Sequence, residues 1–165
     1  MSEETTETTE ENVSSDFNLE NDFKVDPLIP NGTYLANVIA VDLKLSKANI
    51  QWKVALDGNG GFMNDGETAV DGATVFFNNW LPKKGDETTV SSNGRGTKFQ
   101  AKVNQMKKFA DKMMITDSFN TIAKIQEAVD NGDYIGLAVK VKVSTKEYPV
   151  GSGNFSNEVN EMTAA

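Results

Sequence analysis

The chain has 165 residues, the size of one ordinary domain, with 24 acidic and 16 basic side chains and neither histidine nor cysteine. Without those two residue types there is no disulfide framework, no imidazole or thiolate zinc site, no cysteine nucleophile and no histidine base. Only a carboxylate metal site or Asp/Glu acid–base chemistry would remain, and no carboxylate pair stands out from the scattered acids, so a protein that is not an enzyme and needs no cofactor or metal is expected.

The net charge of −8 is concentrated at one end. Residues 1–26 hold Glu3, Glu4, Glu7, Glu10, Glu11, Asp16, Glu20, Asp22 and Asp26 against the single Lys24, and the rest of the chain is neutral in sum. A neutral body is compatible with a polyanionic partner only if its lysines gather on one face. Charges interrupt every apolar run, so no segment reads as a membrane span. The opening Met1-Ser2-Glu3-Glu4 is unlike a secretory signal, and a cytoplasmic protein is expected.

Residues 1–26 are rich in Glu, Thr, Ser and Asn and read as a disordered acidic tail. Their last part sets Phe17, Leu19 and Phe23 among Asp16, Glu20 and Asp22, which reads either as a partner-docking segment or as a piece that packs on the body. The folded domain, 27–160, opens at the turn Pro27-Leu28-Ile29-Pro30-Asn31-Gly32. Alternation predicts a first strand from Thr33 to Leu45 with Leu35, Ile39, Val41, Leu43 and Leu45 inward, and a second from Ala48 to Asp57 with Ile50, Trp52, Val54 and Leu56 inward. A Gly- and Asp-rich connection leads to a third strand, Ala73 to Leu81. Next comes a loop, Pro82 to Thr97, whose Ser91-Ser92-Asn93-Gly94-Arg95-Gly96 stretch reads as mobile.

The spacing of Phe99, Val103, Met106, Ala110 and Met113 predicts a helix over Lys98–Met114. A shorter helix, capped by Ser118 and ending near Gly132, carries Ile122, Ile125 and Val129. A fourth strand buries Ile135, Leu137, Val139, Val141 and Val143, and a fifth runs from about Phe155 to Val159, leaving 161–165 as a C-terminal tail. The predicted class is mainly β with helices, β-β-β-α-β-β, the order of an OB-fold-like small Greek-key barrel with its helical segment between strands three and four.

OB barrels bind oligonucleotides or oligosaccharides, and a single-stranded nucleic acid needs cations for phosphates and flat rings for bases. Strand parity sets Lys44, Lys53, Lys140 and Lys142 opposite the core face, and in the third strand turns Phe76 and Trp80 outward if Val75, Phe77 and Leu81 face in. Lys83, Lys84 and Arg95, the one arginine of the chain, sit on the following loop, where they could hold a phosphate backbone. Alternating lysines are also an ordinary solubility pattern, and Phe76 and Trp80 could instead form a satellite cluster under one of the long loops or the helix pair. Gly58-Asn59-Gly60-Gly61 fits neither dinucleotide nor P-loop spacing, and Asp57, Asn59, Asp65 and Glu67 miss the calcium-loop register.

Several segments carry a resemblance: Pro30-Asn31-Gly32-Thr33-Tyr34, Lys44-Leu45-Ser46-Lys47 followed by Trp52, Phe76-Phe77-Asn78-Asn79, the basic helix, Gly136-x-x-Val139, and Glu147-Tyr148-Pro149 with Asn157-Glu158-Val159. Over residues 27–160 the chain resembles a phage- and prophage-encoded, single-stranded DNA-binding-like family of small proteins, long a domain family without assigned function. The resemblance implies coating of single-stranded DNA during phage replication or recombination, in the host cytoplasm and without chemistry on the strand. Related single-stranded DNA-binding proteins often end in an acidic aromatic tail. Here the acidic segment with Phe17 and Phe23 lies at the other end, where it would recruit replication or recombination proteins or cover the lysine face. A homo-oligomer stays open. The competing reading is a protein-interaction or virion-associated β-barrel, with an oligosaccharide-binding barrel third.

Overall fold

The computed structural model describes residues 12–165. Five strands, β1 (Gly32–Lys44), β2 (Asn49–Leu56), β3 (Thr74–Trp80), β4 (Ala138–Glu147) and β5 (Phe155–Ala164), form one antiparallel sheet in the order β3-β2-β1-β4-β5. A one-turn helix, α1 (Leu19–Asp22), precedes it, and α2 (Lys98–Met113) and α3 (Ile122–Asn131) stand between β3 and β4. The mainly β class is as the alternation predicts. The order differs from β-β-β-α-β-β by the extra helix before β1 and by the division of the helical segment into two.

Strand β1 departs most from its pattern. Its first half turns Tyr34, Ala36 and Val38 inward, the parity expected to face out, and leaves Leu35 exposed. The β1–β2 register then slips between Val38 and Ala40, so Ile39 is an extra, exposed residue of a β-bulge. Beyond it the expected parity returns, and Val41 and Leu43 pack against the core. A single inserted residue exchanges the faces of a strand, because side chains alternate with period two. Leu45, expected in the core, lies exposed in the tight Leu45–Lys47 turn to β2.

Strands β2 and β3 follow their alternation throughout. Ile50, Trp52, Val54, Leu56 and Val75 are buried, and Trp52 is the largest fully buried side chain. The Trp52 ring centroid lies 5.4 Å from that of Phe109, 5.2 Å from Tyr134 and 6.3 Å from Phe119, so α2 and the segments flanking α3 seal this part of the core. Its indole Nε1 donates to Asn79 Oδ1 at 2.6 Å, which pairs the one polar atom that burial would otherwise orphan.

Helix α2 begins where Thr97 Oγ1 accepts from the Gln100 amide at 3.1 Å. Thr121, rather than Ser118, caps α3 by accepting from the Lys124 amide, while the Ser118 hydroxyl meets that of Tyr134 at 2.8 Å. Strand β4 starts at Ala138; Ile135 lies in the preceding turn and is exposed. Residues 161–165, expected as a tail, are the end of β5 up to Ala164, with Met162 buried opposite Val141. Of the expected disordered tail, residues 1–11 lie outside the described residues; beyond them the chain makes α1 and stays exposed as far as Asp26.

Candidate functional site

The outward faces of β1, β2 and β3 form a grid fixed by register. One row is Ala40, Lys53 and Phe76, the next Asp42, Gln51 and Asn78, and the third Lys44, Asn49 and Trp80. Phe76 and Trp80 are 48% and 54% exposed, two positions apart on one face of β3, with Asn78 between them. Lys53 Nζ lies 5.8 Å from the Phe76 ring centroid, a cation–π contact that holds the ammonium over the ring. The expected outward aromatics and Lys53 are therefore together.

Polar groups fill the remaining positions. Lys44 is half-buried, donates to Gln51 Oε1 at 2.9 Å and lies 3.9 Å from Asp42. Asn49 is 5% exposed; its Nδ2 donates to Asn78 Oδ1 at 3.0 Å, and its own Oδ1 is buried without a hydrogen-bond partner among the described residues. An acceptor in that condition costs about 1–3 kcal/mol and gains from any donor brought beside Trp80.

Strands β3 and β5 are the two edges of the sheet, yet they approach one another across a cleft lined by Phe76, Asn78, Trp80, Lys146, Ser156 and Glu158. Lys146, which sequence reasoning left out, therefore borders the aromatic face, with its Nζ 3.7 Å from Glu158. The adjoining β4–β5 hairpin exposes Tyr148, Val150 and Phe155. Glu147 shapes this loop by accepting from the amides of Gly151 at 2.6 Å and Gly153 at 3.0 Å. In the sequence these residues fall in and around a Tyr148-Pro149-x-Gly segment between two strands, and alternation does not mark it as a surface.

Lys140 and Lys142 face outward as expected, but elsewhere on the sheet. Lys140 stands between Leu35 and Thr163, and Lys142 between Thr33 and Glu161. The positions Leu35 and Ala40, which mark the rows of Lys140 and Lys53 on β1, are roughly 15 Å apart along the strand. Glu161 also takes Lys112 at 2.7 Å, and these two lysines hold its carboxyl below the usual range, the Lys112 hydrogen bond first. Lys142 thus has a carboxylate as its cross-strand neighbour, whereas Lys53 has an aromatic ring.

Lys83 and Lys84 are exposed just past β3. Asp86 fixes this corner by accepting from the Lys83 amide and the Lys102 ammonium, each at 2.7 Å, and the two bonds, that from Lys102 first, lower its carboxyl pKa from the ordinary value. The Arg95 loop forms a hydrogen-bonded turn. Val90 bridges Thr97, the Ser91 hydroxyl donates to the Arg95 carbonyl at 2.8 Å, and Asn93 Oδ1 accepts from the Arg95 amide at 2.9 Å. Phe17, Leu19 and Phe23 are exposed and do not line the cleft beside the grid.

No protein-family model, no curated protein and no solved structure matches this chain.

Proposed function

We propose that this chain is a sequence-tolerant single-stranded DNA-binding protein of the OB type, acting in phage DNA replication or recombination and doing no chemistry on the strand. The observation that carries the reading is the pair Phe76 and Trp80, half-exposed on one face of β3 with Lys53 over the Phe76 ring. Two bases of a single strand stack on two such rings, at about 1–3 kcal/mol per base, and every base has a face to offer. Lys53, Lys44 and Lys146 lie within or beside the same grid and meet phosphates, with Lys83, Lys84 and Arg95 on the loop that leaves β3. Support for the barrel comes from β1, which pairs with both β2 and β4, and from edges β3 and β5, which face each other over the cleft.

Of the two tryptophans, Trp52 is sealed in the core and Trp80 reports on the grid. Titration with oligo-dT at about 50 mM and about 200 mM salt quenches Trp80 emission, the affinity falls with salt, and duplex of equal length gives little response. Absence of quenching together with absence of a gel shift defeats the proposal. The Trp80→Phe variant loses the quenching and keeps the gel shift.

A further inference from the structure

Away from the grid, α2 and α3 leave an apolar groove of about 380 Å³ between them. Its walls include Phe99, Val103 and Met106 of α2, Ile122 and Ile125 of α3, and Leu81 after β3. Phe99, Val103 and Ile122 remain exposed, so the helices do not close over it. Helix α2 carries five lysines; Lys102, Lys107 and Lys112 pair with Asp86, Asp111 and Glu161, and Lys107, its ammonium largely exposed, stands at the groove. Lys98, next to Phe99, and Lys108 make no salt bridge among the described residues.

The chain itself holds a segment of complementary chemistry. Phe17, Leu19 and Phe23 are 63%, 79% and 73% exposed, and Asp16, Glu20, Asp22 and Asp26 surround them against the single Lys24. The segment is ordered locally. Asn18 Oδ1 accepts from the amides of Glu20 at 2.9 Å and Asn21 at 3.2 Å, and Asp22 Oδ2 accepts from the Asn18 amide at 2.6 Å. This reciprocal cap holds the turn that spaces Leu19 and Phe23 four residues apart, so part of the ordering cost of docking is already met. Its apolar side chains stand in solvent while the groove of the same chain is open, so the segment does not fill its own groove in this structure.

We infer that the acidic aromatic segment of one copy docks into the α2–α3 groove of a second copy, with Phe17, Leu19 and Phe23 in the groove and their carboxylates against the lysines of α2. Such a contact is head-to-tail, so it leaves one groove and one segment free at the two ends and builds open chains. The grid of β1, β2 and β3 takes no part, and the inference stands or falls separately from DNA binding.

The experiment is light scattering of the full chain without DNA, over a concentration series at low salt. The mass is expected to rise above that of the monomer with concentration. Phe17→Ser/Phe23→Ser, which removes the plug, and Val103→Glu, which charges the groove, each weaken association about tenfold or more. Ile122→Glu is the second groove variant, and a thermal melt selects the one that keeps the wild-type fold. The deciding sample mixes the plug variant with the groove variant. Each retains the half that the other lacks, so the mixture forms dimers and no longer chains. A wild-type chain that stays monomeric throughout, or a mixture that stays monomeric, overturns the inference; the first of these assigns the groove to docking within one chain or to another protein.

Discussion

Strands β2 and β3 present two faces built from alternate residues of the same few positions, and the two have opposite fates. Inward, Trp52 and Phe77 meet Phe109 of α2, with Phe77 and Phe109 stacked at 5.5 Å, and Asn79 serves the Trp52 indole. Outward, Phe76 and Trp80 have no helix of the described residues above them and stay half-exposed beside Lys53. The aliphatic Ile50, Val54, Leu56 and Val75 all lie on the inward side, but each side carries two aromatic rings, so ring count does not distinguish them. The position of α2 does: it covers one face, leaving the rings on the other available to a ligand. Substitutions on the two faces should therefore separate stability from binding.

The largest effect is expected inside. Trp52→Ala removes the central ring of the core and costs about 3–5 kcal/mol, read as a fall in melting temperature of roughly 10 °C or more. Asn79→Ala is milder, about 1–3 kcal/mol, because it leaves the indole N–H buried without an acceptor. The outer pair behaves inversely. Phe76→Ala/Trp80→Ala leaves the melting temperature within a few degrees and lowers oligo-dT affinity by about tenfold or more for each ring. If the outer pair unfolds the protein, or the inner variants bind less while melting normally, the separation of faces fails.

The contrast also explains what could be read from the sequence. Strand β3 was legible up to one condition: Val75, Phe77 and Leu81 share a parity interrupted by the polar Asn79, and Phe76 and Trp80 turn outward only if those three face in. Strand β1 was not, because its apolar residues, Tyr34, Leu35, Ala36, Val38, Ile39, Val41 and Leu43, occupy both parities, and the bulge at Ile39 moves the core from one to the other. No local propensity marks such an insertion; it lies within the pairing to β2, which runs from Ala36 to Lys44, just past the stretch from Gly32 to Asn37 that pairs with β4. The placement of the lysines was not legible for a similar reason. Parity says which way Lys140 and Lys142 point, but only the sheet order places them across β1 from β2 and sets Glu161 opposite Lys142. Lys146 and the exposed Tyr148 and Phe155 were missed because the approach of β3 to β5 joins residues far apart in the chain.

That difference between lysines gives a smaller, sharper prediction. Lys53→Ala weakens oligo-dT binding several-fold and lowers the salt slope by about 0.7, the share of one phosphate contact on a single strand. Lys146→Ala does the same to a lesser degree, since Glu158 already faces it. Lys140→Ala/Lys142→Ala changes affinity and slope less than Lys53→Ala alone, although it removes twice the charge. Equal loss per lysine across the four positions would mean that a diffuse positive field, and not the grid, attracts the strand.

The smallest effect concerns pH and the loop between β2 and β3. Asp71 accepts from the amides of Gly60 at 2.7 Å and Asn59 at 3.0 Å, and Asn59 in turn spans to Leu35 of β1 at 2.7 and 2.8 Å. These hydrogen bonds, the Gly60 amide first, keep the Asp71 carboxyl below its ordinary value. A carboxyl held low when folded stabilises the fold above its unfolded pKa, and the contribution disappears as pH falls through the lowered folded value. Asp71→Asn therefore melts below the wild type at neutral pH, and the gap narrows on acidification below the usual carboxylate range. Because the comparison is between two chains that share Asp65, Asp86, Asp111 and Glu161, the titration of those groups cancels and the narrowing belongs to Asp71. A gap that stays constant with pH would show that the loop is held by Asn59 and its bonds to Leu35, with the charge on Asp71 contributing nothing. DNA binding should be indifferent to the substitution at neutral pH, since Asp71 lies outside the three rows of the grid.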